Sequence, residues 1–518
     1  MLLRKKKHMA LLLCLMAVPV LFGCAKKVEF SAATVRDDVT ELSIVLQSGE
    51  TALLDALPEL DRVDLSGSGD YAEIAAWAEA HPDVAVSYTV EFPEGTVAAN
   101  DCTQLDLSAL APEDVEKAAE LMAYLPKLEK LTLLPGLFTP TQVETLLGAV
   151  EGLEGEYSYS LGSITLDWQA EKADLSALRP EDMDAALELL PQLPRLKSVE
   201  LGRDTETALS WEHIYALVSG CPDMDFDFDF SIYGKSFRLS DKKMDLDHIQ
   251  LGDNGAAAYM AARCMRQLEY LDMDFCGVPN EVMEQIRAGL PGVKVVWRIW
   301  FGRNYSVRTD VEKILASNPS NGGTIWDEDA QQLKYCTELK YLDLGHNEVI
   351  TDISFVSYMP KLEVAVLAMN NITDLSPLAN CPELEYLEIQ TNNGLSDLSP
   401  LANCTKLRHL NTAHCRLISD ISPLYGCTEL ERFWLGASNG VPAEQVEEFK
   451  RRVPDCEVNV HVFSDPTTAG WRMTDLDIIT WQPTYAPRYE LLMEQFGYLE
   501  HDYSFTWKDP KYEVGVEE

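Results

Sequence analysis

The sequence is short of positive charge. Its 518 residues hold 42 Lys and Arg against 84 Asp and Glu, a net charge of −42 with histidine neutral. A protein that tracks phosphates needs the opposite sign, because its affinity comes from lysines and arginines displacing counterions. A polybasic face resting on anionic headgroups needs it too. Nucleic acid is therefore excluded as a partner, and so is attachment to a membrane by charge alone. Glycine and proline stay at ordinary levels, 29 and 26, which removes collagen-like and low-complexity classes. Beyond residue 22 no apolar run reaches the roughly 20 residues that a membrane-spanning helix takes. Chemical signatures are missing as well: no HExxH, no Cys–His zinc spacing, no Walker loop, no GxGxxG and no GxSxG. No cofactor and no metal is implied, and the chain reads as non-catalytic. An unrecognised hydrolase, with groups that meet only in space, is the rival reading.

What is present starts at the N-terminus. Arg4-Lys5-Lys6-Lys7 precedes an unbroken apolar run from Met9 to Phe22. As a helix that run rises about 21 Å, short of the roughly 30 Å hydrocarbon core. This is the pattern of a signal peptide. The run ends in Leu21-Phe22-Gly23-Cys24, which resembles the bacterial lipobox. The resemblance implies cleavage before Cys24 and a diacylglyceryl thioether on its sulfur, placing the protein on the outer face of a bacterial envelope membrane. Two acyl chains hold a protein there stably. A plain secretory signal cut nearby is the alternative. Losing residues 1–23 also removes four positive charges and leaves the rest more acidic.

Internal repetition dominates the remainder. Leucines at 339, 362, 384, 407 and 430 recur every 22 or 23 residues and open segments of the form LxxLxL, such as Leu339-Lys-Tyr-Leu-Asp-Leu344. A second register keeps the same period: Asp352-Ile-Ser-Phe-Val356, Asp374-Leu-Ser-Pro-Leu378, Asp397-Leu-Ser-Pro-Leu401 and Asp420-Ile-Ser-Pro-Leu424. With two motifs in one period, about a fifth of the chain resembles the leucine-rich repeat family, and the D-[IL]-S-P-L element resembles its internalin type. The resemblance implies an α/β solenoid with a parallel β-sheet on the concave face and helices and short turns on the convex face.

Within that frame each residue type has a task. Asn347, Asn370 and Asn392 fall where the family stacks an asparagine ladder, and Cys415 takes the next rung. Ser376, Ser399 and Ser422 precede Pro377, Pro400 and Pro423, the pattern of an N-cap before a first-turn proline. Cys336, Cys381, Cys404 and Cys427 each sit three residues before a repeat leucine, a buried column of small side chains expected to stay as free thiols.

Upstream the repeats lengthen. Asp106–Leu133 returns at Asp174–Leu201, an offset of 68 residues with fifteen of twenty-eight positions identical. Helical stretches at 141–150 and 281–290 are each followed by a further strand, and glycines at 95, 162, 234 and 302 turn the chain back. These are modules of about 70 residues, each with a hairpin-like excursion. Asp225, Asp227 and Asp229 alternate with Phe226, Phe228 and Phe230, which reads as a strand with its phenylalanines inward; a cation bridging the aspartates is the alternative. The organisation expected is a signal peptide at 1–23, a tether at 24–40, long degenerate repeats at 41–330, internalin-like repeats at 331–440, a final repeat at 441–463 and an aromatic-rich cap at 464–518, in one continuous solenoid.

Side chains alternate along a strand, so the x positions of LxxLxL face the concave side. One column holds Tyr341, Val364, Tyr386, His409 and Arg432. The next holds Asp343, Val366, Glu388, Asn411 and Trp434, and His346, Met369, Thr391 and His414 follow at the strand ends. Tyr, Trp and Arg dominate binding hot spots. Tyr341, Asp343, His346, Tyr386, Glu388, His409, Asn411, His414, Arg432 and Trp434 are therefore the expected binding residues. Internalins bind proteins through this face, so the resemblance implies a protein ligand, and the acidic positions favour a basic or cation-bridged one. The alternative is a glycan- or wall-binding protein using C-terminal aromatics such as Trp471, Trp481 and Trp507. A purely structural envelope scaffold is a further rival, and the oligomeric state is left open.

Overall fold

A repeat of 22 or 23 residues has room for one short strand, a turn and a return path, and that is how the chain is spent. A computed structural model describes residues 26–302, 305–317, 324–437, 440–460, 471–477 and 482–485. The expected signal peptide at 1–23, Cys24, Trp481 and Trp507 lie outside these residues. Two units divide the chain, one up to Phe226 and one from Asp227 onward.

The first unit opens on a hairpin, Lys27–Glu29 against Thr34–Arg36. Val28 and Phe30 are buried there, and the Ser31 N–H donates to the Glu50 carboxylate at 2.6 Å. Residues 26–40 are thus folded structure and not the expected tether, because two apolar side chains find cover. Parallel three-residue strands follow at Glu41–Ser43, Arg62–Asp64 and Ala85–Ser87. The 68-residue repetition appears as two copies of strand, helix, strand. Gln104–Asp106, Val115–Met122 and Lys130–Thr132 form one copy; Lys172–Asp174, Met183–Leu189 and Ser198–Arg203 form the other. Helix Pro140–Gly148 begins in a capping box between Thr139 and Gln142, which satisfies two otherwise orphaned N–H groups. Excursions arise where glycine turns the chain: Thr89–Glu91 returns as Val97–Ala99, and Ser158–Leu161 as Ile164–Asp167. Gly95 and Gly162 have φ of +83° and +56°, a backbone region that a Cβ disfavours.

The strand Asp225–Ile232, within which the division falls, turns at Tyr233–Gly234, both left-handed, and pairs antiparallel with Lys235–Arg238. Its phenylalanines are buried, Asp225 and Asp227 are exposed, and Asp229 pairs with Arg238 at 3.1 Å. In the second unit Lys243–Asp245, Tyr270–Asp272 and Lys294–Val296 run parallel. A hairpin follows after one residue, Arg298–Phe301 with Tyr305–Arg308. Seven parallel strands complete the unit's main sheet: Lys313–Leu315, Tyr341–Asp343, Val364–Val366, Tyr386–Glu388, His409–Asn411, Arg432–Trp434 and Glu457–Asn459. Their middle residues, Leu342, Ala365, Leu387, Leu410 and Phe433 among them, point into the core and are fully buried.

Each short repeat returns through a single 3-10 turn, Ser354–Tyr358, Ser376–Asn380, Ser399–Asn403 and Ser422–Gly426. The capping oxygen belongs to the aspartate and not, as expected, to the serine. Asp352, Asp374, Asp397 and Asp420 each accept the serine N–H two residues on, at 2.8 Å. The hydroxyls of Ser376 and Ser399 donate back to the same carboxylates at 2.9 Å. A carboxylate two residues ahead of the turn meets its first N–H directly, which leaves the hydroxyl a secondary part. The asparagine ladder forms. Asn392 donates to Leu367 O at 3.1 Å and Ile389 O at 2.8 Å and accepts from Ile372 N at 2.8 Å; Asn370 donates to Leu344 O and Leu367 O in the same way. Cys415 continues it, its thiol on Ile389 O at 3.2 Å. Cys336, Cys381, Cys404, Cys415 and Cys427 are free thiols. Cys381, Cys404 and Cys427 each reach a carbonyl of the preceding repeat at 3.5–3.6 Å, and burial pushes their thiols up to about 12, 12 and 11.

Candidate binding site on the concave face

The strand register aligns the side chains as the repeat period requires. Tyr341, Val364, Tyr386, His409 and Arg432 are successive Cα partners, and so are Asp343, Val366, Glu388, Asn411 and Trp434. Exposure is where the expectation fails. Tyr341 is half-buried, while Asp343, Tyr386, Glu388, His409, Asn411, Arg432 and Trp434 are buried.

For Tyr386, Glu388, His409, Arg432 and Trp434 the cover comes from more than thirty residues downstream of the last of them. Trp471 lies across the strands Tyr386–Glu388, His409–Asn411 and Arg432–Trp434. Its ring centroid is 6.0 Å from that of Tyr386, 6.2 Å from His409 and 5.6 Å from Trp434. With Leu315, Val364 and Val366 the rings of Tyr386, Trp434 and Trp471 make a small apolar cluster on the concave side, and Tyr341 packs against it. The Trp471 indole N–H donates to the Tyr386 hydroxyl at 2.9 Å and to Glu388 Oε1 at 3.0 Å. Arg472 grips the same carboxylate with both oxygens engaged, Nε to Oε1 at 2.9 Å and Nη2 to Oε2 at 2.8 Å. Arg432 donates through Nη1 to the Trp471 carbonyl at 2.6 Å, and its guanidinium lies 5.5 Å from the rings of both Trp434 and Trp471. Trp471 is thus seated on the inner face of the repeats. The rest of the expected cap, apart from the hairpin strands Met473–Asp477 and Gln482–Tyr485, lies outside the described residues.

Glu388 is fully buried. Burial pulls its carboxyl upward, but the Arg472 guanidinium, the Tyr386 hydroxyl and the Gln390 amide outweigh this and hold it below the ordinary glutamate range. Burial and the facing carboxylate push the Tyr386 hydroxyl far up, so it stays protonated and donates to Glu388. The group is a receptor for one indole and one guanidinium, built from a carboxylate, a phenol, an imidazole and an arginine.

Other expected ligands have local duties. The Asp343 carboxylate accepts the Gly345 N–H at 2.9 Å, and Asn411 accepts the Ala413 N–H at 3.0 Å, each closing its own strand exit. His346 is exposed and His414 half-buried. Both have positive φ, as do Met369, Thr391 and Ala437 at the same repeat position. Histidine tolerates that conformation better than most side chains, which accounts for its presence there.

Sequence reasoning missed a second arginine receptor. Asp272 and Asp274 are buried, and the following hairpin returns two arginines over them. Arg298 meets Asp274 at 3.1 Å, while Arg308 meets Asp272 at 3.2 Å, Asp274 at 3.4 Å and the Tyr270 hydroxyl at 2.5 Å. Tyr270-Leu271-Asp272 is the same strand pattern as Tyr386-Leu387-Glu388. The signal was legible in principle: a column of acids in a packed sheet demands counter-charge, and few basic residues are available. A separate cleft of about 570 Å³ opens between Phe275, Trp300 and Glu328, with Trp300 58% exposed. Among the described residues no group of three or more His, Cys, Asp or Glu is arranged to hold a metal ion, and no helix is long and apolar enough to cross a membrane.

The repeats of the second unit match a known family. A family model for leucine-rich repeats matches two copies, at residues 360–403 and 384–426. No curated protein matches the sequence. Among solved structures, an internalin of Listeria monocytogenes is 16% identical, covering 83% of this chain and 84% of that one with a TM-score of 0.24. A leucine-rich repeat protein of Leptospira interrogans is 16% identical over 79% and 91%, with a TM-score of 0.27. A second Listeria monocytogenes internalin, C2, is 18% identical over 50% and 86%, with a TM-score of 0.24. Residues 360–426 are leucine-rich repeats, and the parallel strands from Lys313–Leu315 to Glu457–Asn459 with their 3-10 returns have the leucine-rich repeat fold.

Proposed function

We propose that this chain is a lipoprotein of the bacterial cell envelope, anchored through Cys24, whose leucine-rich repeats bind a protein partner on the concave face without chemistry. Leucine-rich repeats generally serve protein–protein interaction. The observation that carries the reading is the convergence of Tyr386, Glu388, His409, Arg432 and Trp434 on one patch that already holds two peptide side chains and a peptide carbonyl. A surface that recognises peptide groups by ring contacts, a bidentate ion pair and a carbonyl bond has the parts of a protein-binding hot spot.

Affinity capture on the full chain tests it. One retained polypeptide is expected, lost when Tyr341→Ala and Trp434→Ala are combined and kept when Trp300→Ala is made in the separate cleft. Retention unaffected by the concave pair places binding elsewhere and sinks the assignment. Retention on a polysaccharide column that depends on Trp481 and Trp507 identifies a glycan-binding protein instead.

A further inference from the structure

Trp471 and Arg472 occupy the patch on which the proposed function rests, and their contacts state its selectivity. The guanidinium is bound through two nitrogens to two oxygens of Glu388, a fork that an ammonium does not reproduce. The indole N–H has two acceptors, the Tyr386 hydroxyl and Glu388, so a phenyl ring there leaves the buried Tyr386 oxygen without its donor and takes one bond from Glu388. Arg432 reads the tryptophan's own carbonyl. The pattern calls for an aromatic residue with an N–H followed at once by arginine.

The upstream receptor shows the same chemistry used differently. Its arginines come from a hairpin that begins one residue after the strand Lys294–Val296, so they are fixed in place by the chain. Eleven residues, 460–470, separate Trp471 from the strand Glu457–Asn459. Trp471 and Arg472 belong to no repeat.

We infer that the concave patch is a recognition site for a tryptophan–arginine pair presented by a partner protein, and that Trp471–Arg472 holds the site in cis until such a segment displaces it. The inference rests on the concave-face reading above and adds the chemistry of the partner. The partner is basic around the pair, because the chain as a whole carries −42; of the carboxylates beside the patch, Glu431 is already met by Arg408 and Glu457 by Arg432. That charge also argues against a second copy as the natural occupant, since like-charged chains repel.

The test uses the full chain and a fluorescein-labelled peptide of residues 466–476, which contains Trp471 and Arg472. A site occupied in cis weakens apparent affinity by the fraction of time it is open, so the Trp471→Ala/Arg472→Ala chain is expected to bind the peptide about tenfold or more tighter than the wild-type chain. Arg472→Ala alone is expected to fall between them, and equal melting temperatures establish that each chain is folded. Adding Glu388→Gln to the double variant abolishes the gain. Replacing tryptophan by phenylalanine or arginine by lysine in the peptide weakens binding about tenfold or more, the value of a lost bond to a charged or buried partner.

Equal peptide binding by wild-type and double-variant chains overturns the inference, as does binding indifferent to Glu388→Gln. Concentration-dependent dimers of the wild-type chain that vanish in the double variant overturn the partner's identity and make the occupant a second copy. A captured partner that depends on the concave face but is not displaced by the peptide sinks this inference alone. Peptide binding as expected, with no partner sensitive to the concave variants, sinks the broader reading alone.

Discussion

At the scale of single residues, Glu388 decides whether the concave patch is closed. Its carboxylate is out of water and accepts from Tyr386, Gln390, Trp471 and Arg472. Burial works against its charge, and these donors more than compensate, so it titrates below its ordinary 4.5. A carboxylate whose folded value is depressed contributes stability above the unfolded value and loses it as pH falls through the folded one. The docked segment is therefore expected to be held unchanged from pH 8 down to about 5 and to release in acid below 4.5. The emission of Trp471, taken as the difference between the wild-type and Trp471→Phe chains, reports the event. Glu388→Gln removes the charge that binds Arg472 and is expected to give the released signal at neutral pH. A transition centred near pH 7 in the wild-type chain would assign the latch to another group. None of this was visible to a reading based on period, which placed Tyr386, Glu388, His409 and Trp434 correctly in register but open to solvent. Their cover comes from a dipeptide outside the repeats, and period carries no information about a contact 83 residues away.

At the scale of elements, the convex turns show how a correct motif can be read with its roles exchanged. The D-[IL]-S-P-L spacing marks the turn start, and proline in the first turn fits its fixed φ. The serine carries the usual N-cap identity, yet the N–H groups of Ser376, Ser399 and Ser422 go to the aspartates two residues before. Loss of a capping side chain costs about 1 kcal/mol. Asp397→Ala is accordingly expected to destabilise by about that amount, and Ser399→Ala by less than about half of it, because its hydroxyl only returns a bond to Asp397. The shift in urea midpoint for the two variants separates the roles, and equal shifts would restore the serine as the cap. The hairpin excursions were legible for a firmer reason. Glycine at 95, 162 and 234 supplies a left-handed turn residue, and the alternation of Asp225–Phe230 fixes which side faces inward. The Asn347, Asn370 and Asn392 ladder was legible for the same kind of reason, since one side chain at one offset per repeat meets the same pair of carbonyls each time.

At the scale of the whole molecule, the excess of acid bears on where the protein resides. A net charge of −42 rules out attachment to anionic lipid by charge, so the membrane association proposed above requires a hydrophobic anchor. Within the described residues no helix is long enough to supply one. The sequence places one candidate, Cys24 after Leu21-Phe22-Gly23. An acyl chain contributes about 0.8 kcal/mol per buried methylene, and two chains together make release slow on the scale of a fractionation. Wild-type protein is therefore expected in the detergent phase of a phase-partition experiment and to incorporate labelled palmitate in cells. Cys24→Ser is expected to abolish the label and move the protein to the aqueous phase, while its repeats melt at the wild-type temperature, because Cys24 precedes the hairpin Lys27–Glu29 with Thr34–Arg36 and belongs to no repeat. If the serine variant still partitions with detergent, the anchor is elsewhere and the envelope assignment loses its chemical basis. If it becomes aqueous but still binds the tryptophan–arginine peptide once residues 471 and 472 are replaced, anchoring and recognition are independent properties of one chain. That independence is expected, since the anchor lies upstream of the repeats and the receptor is complete within residues 386–472.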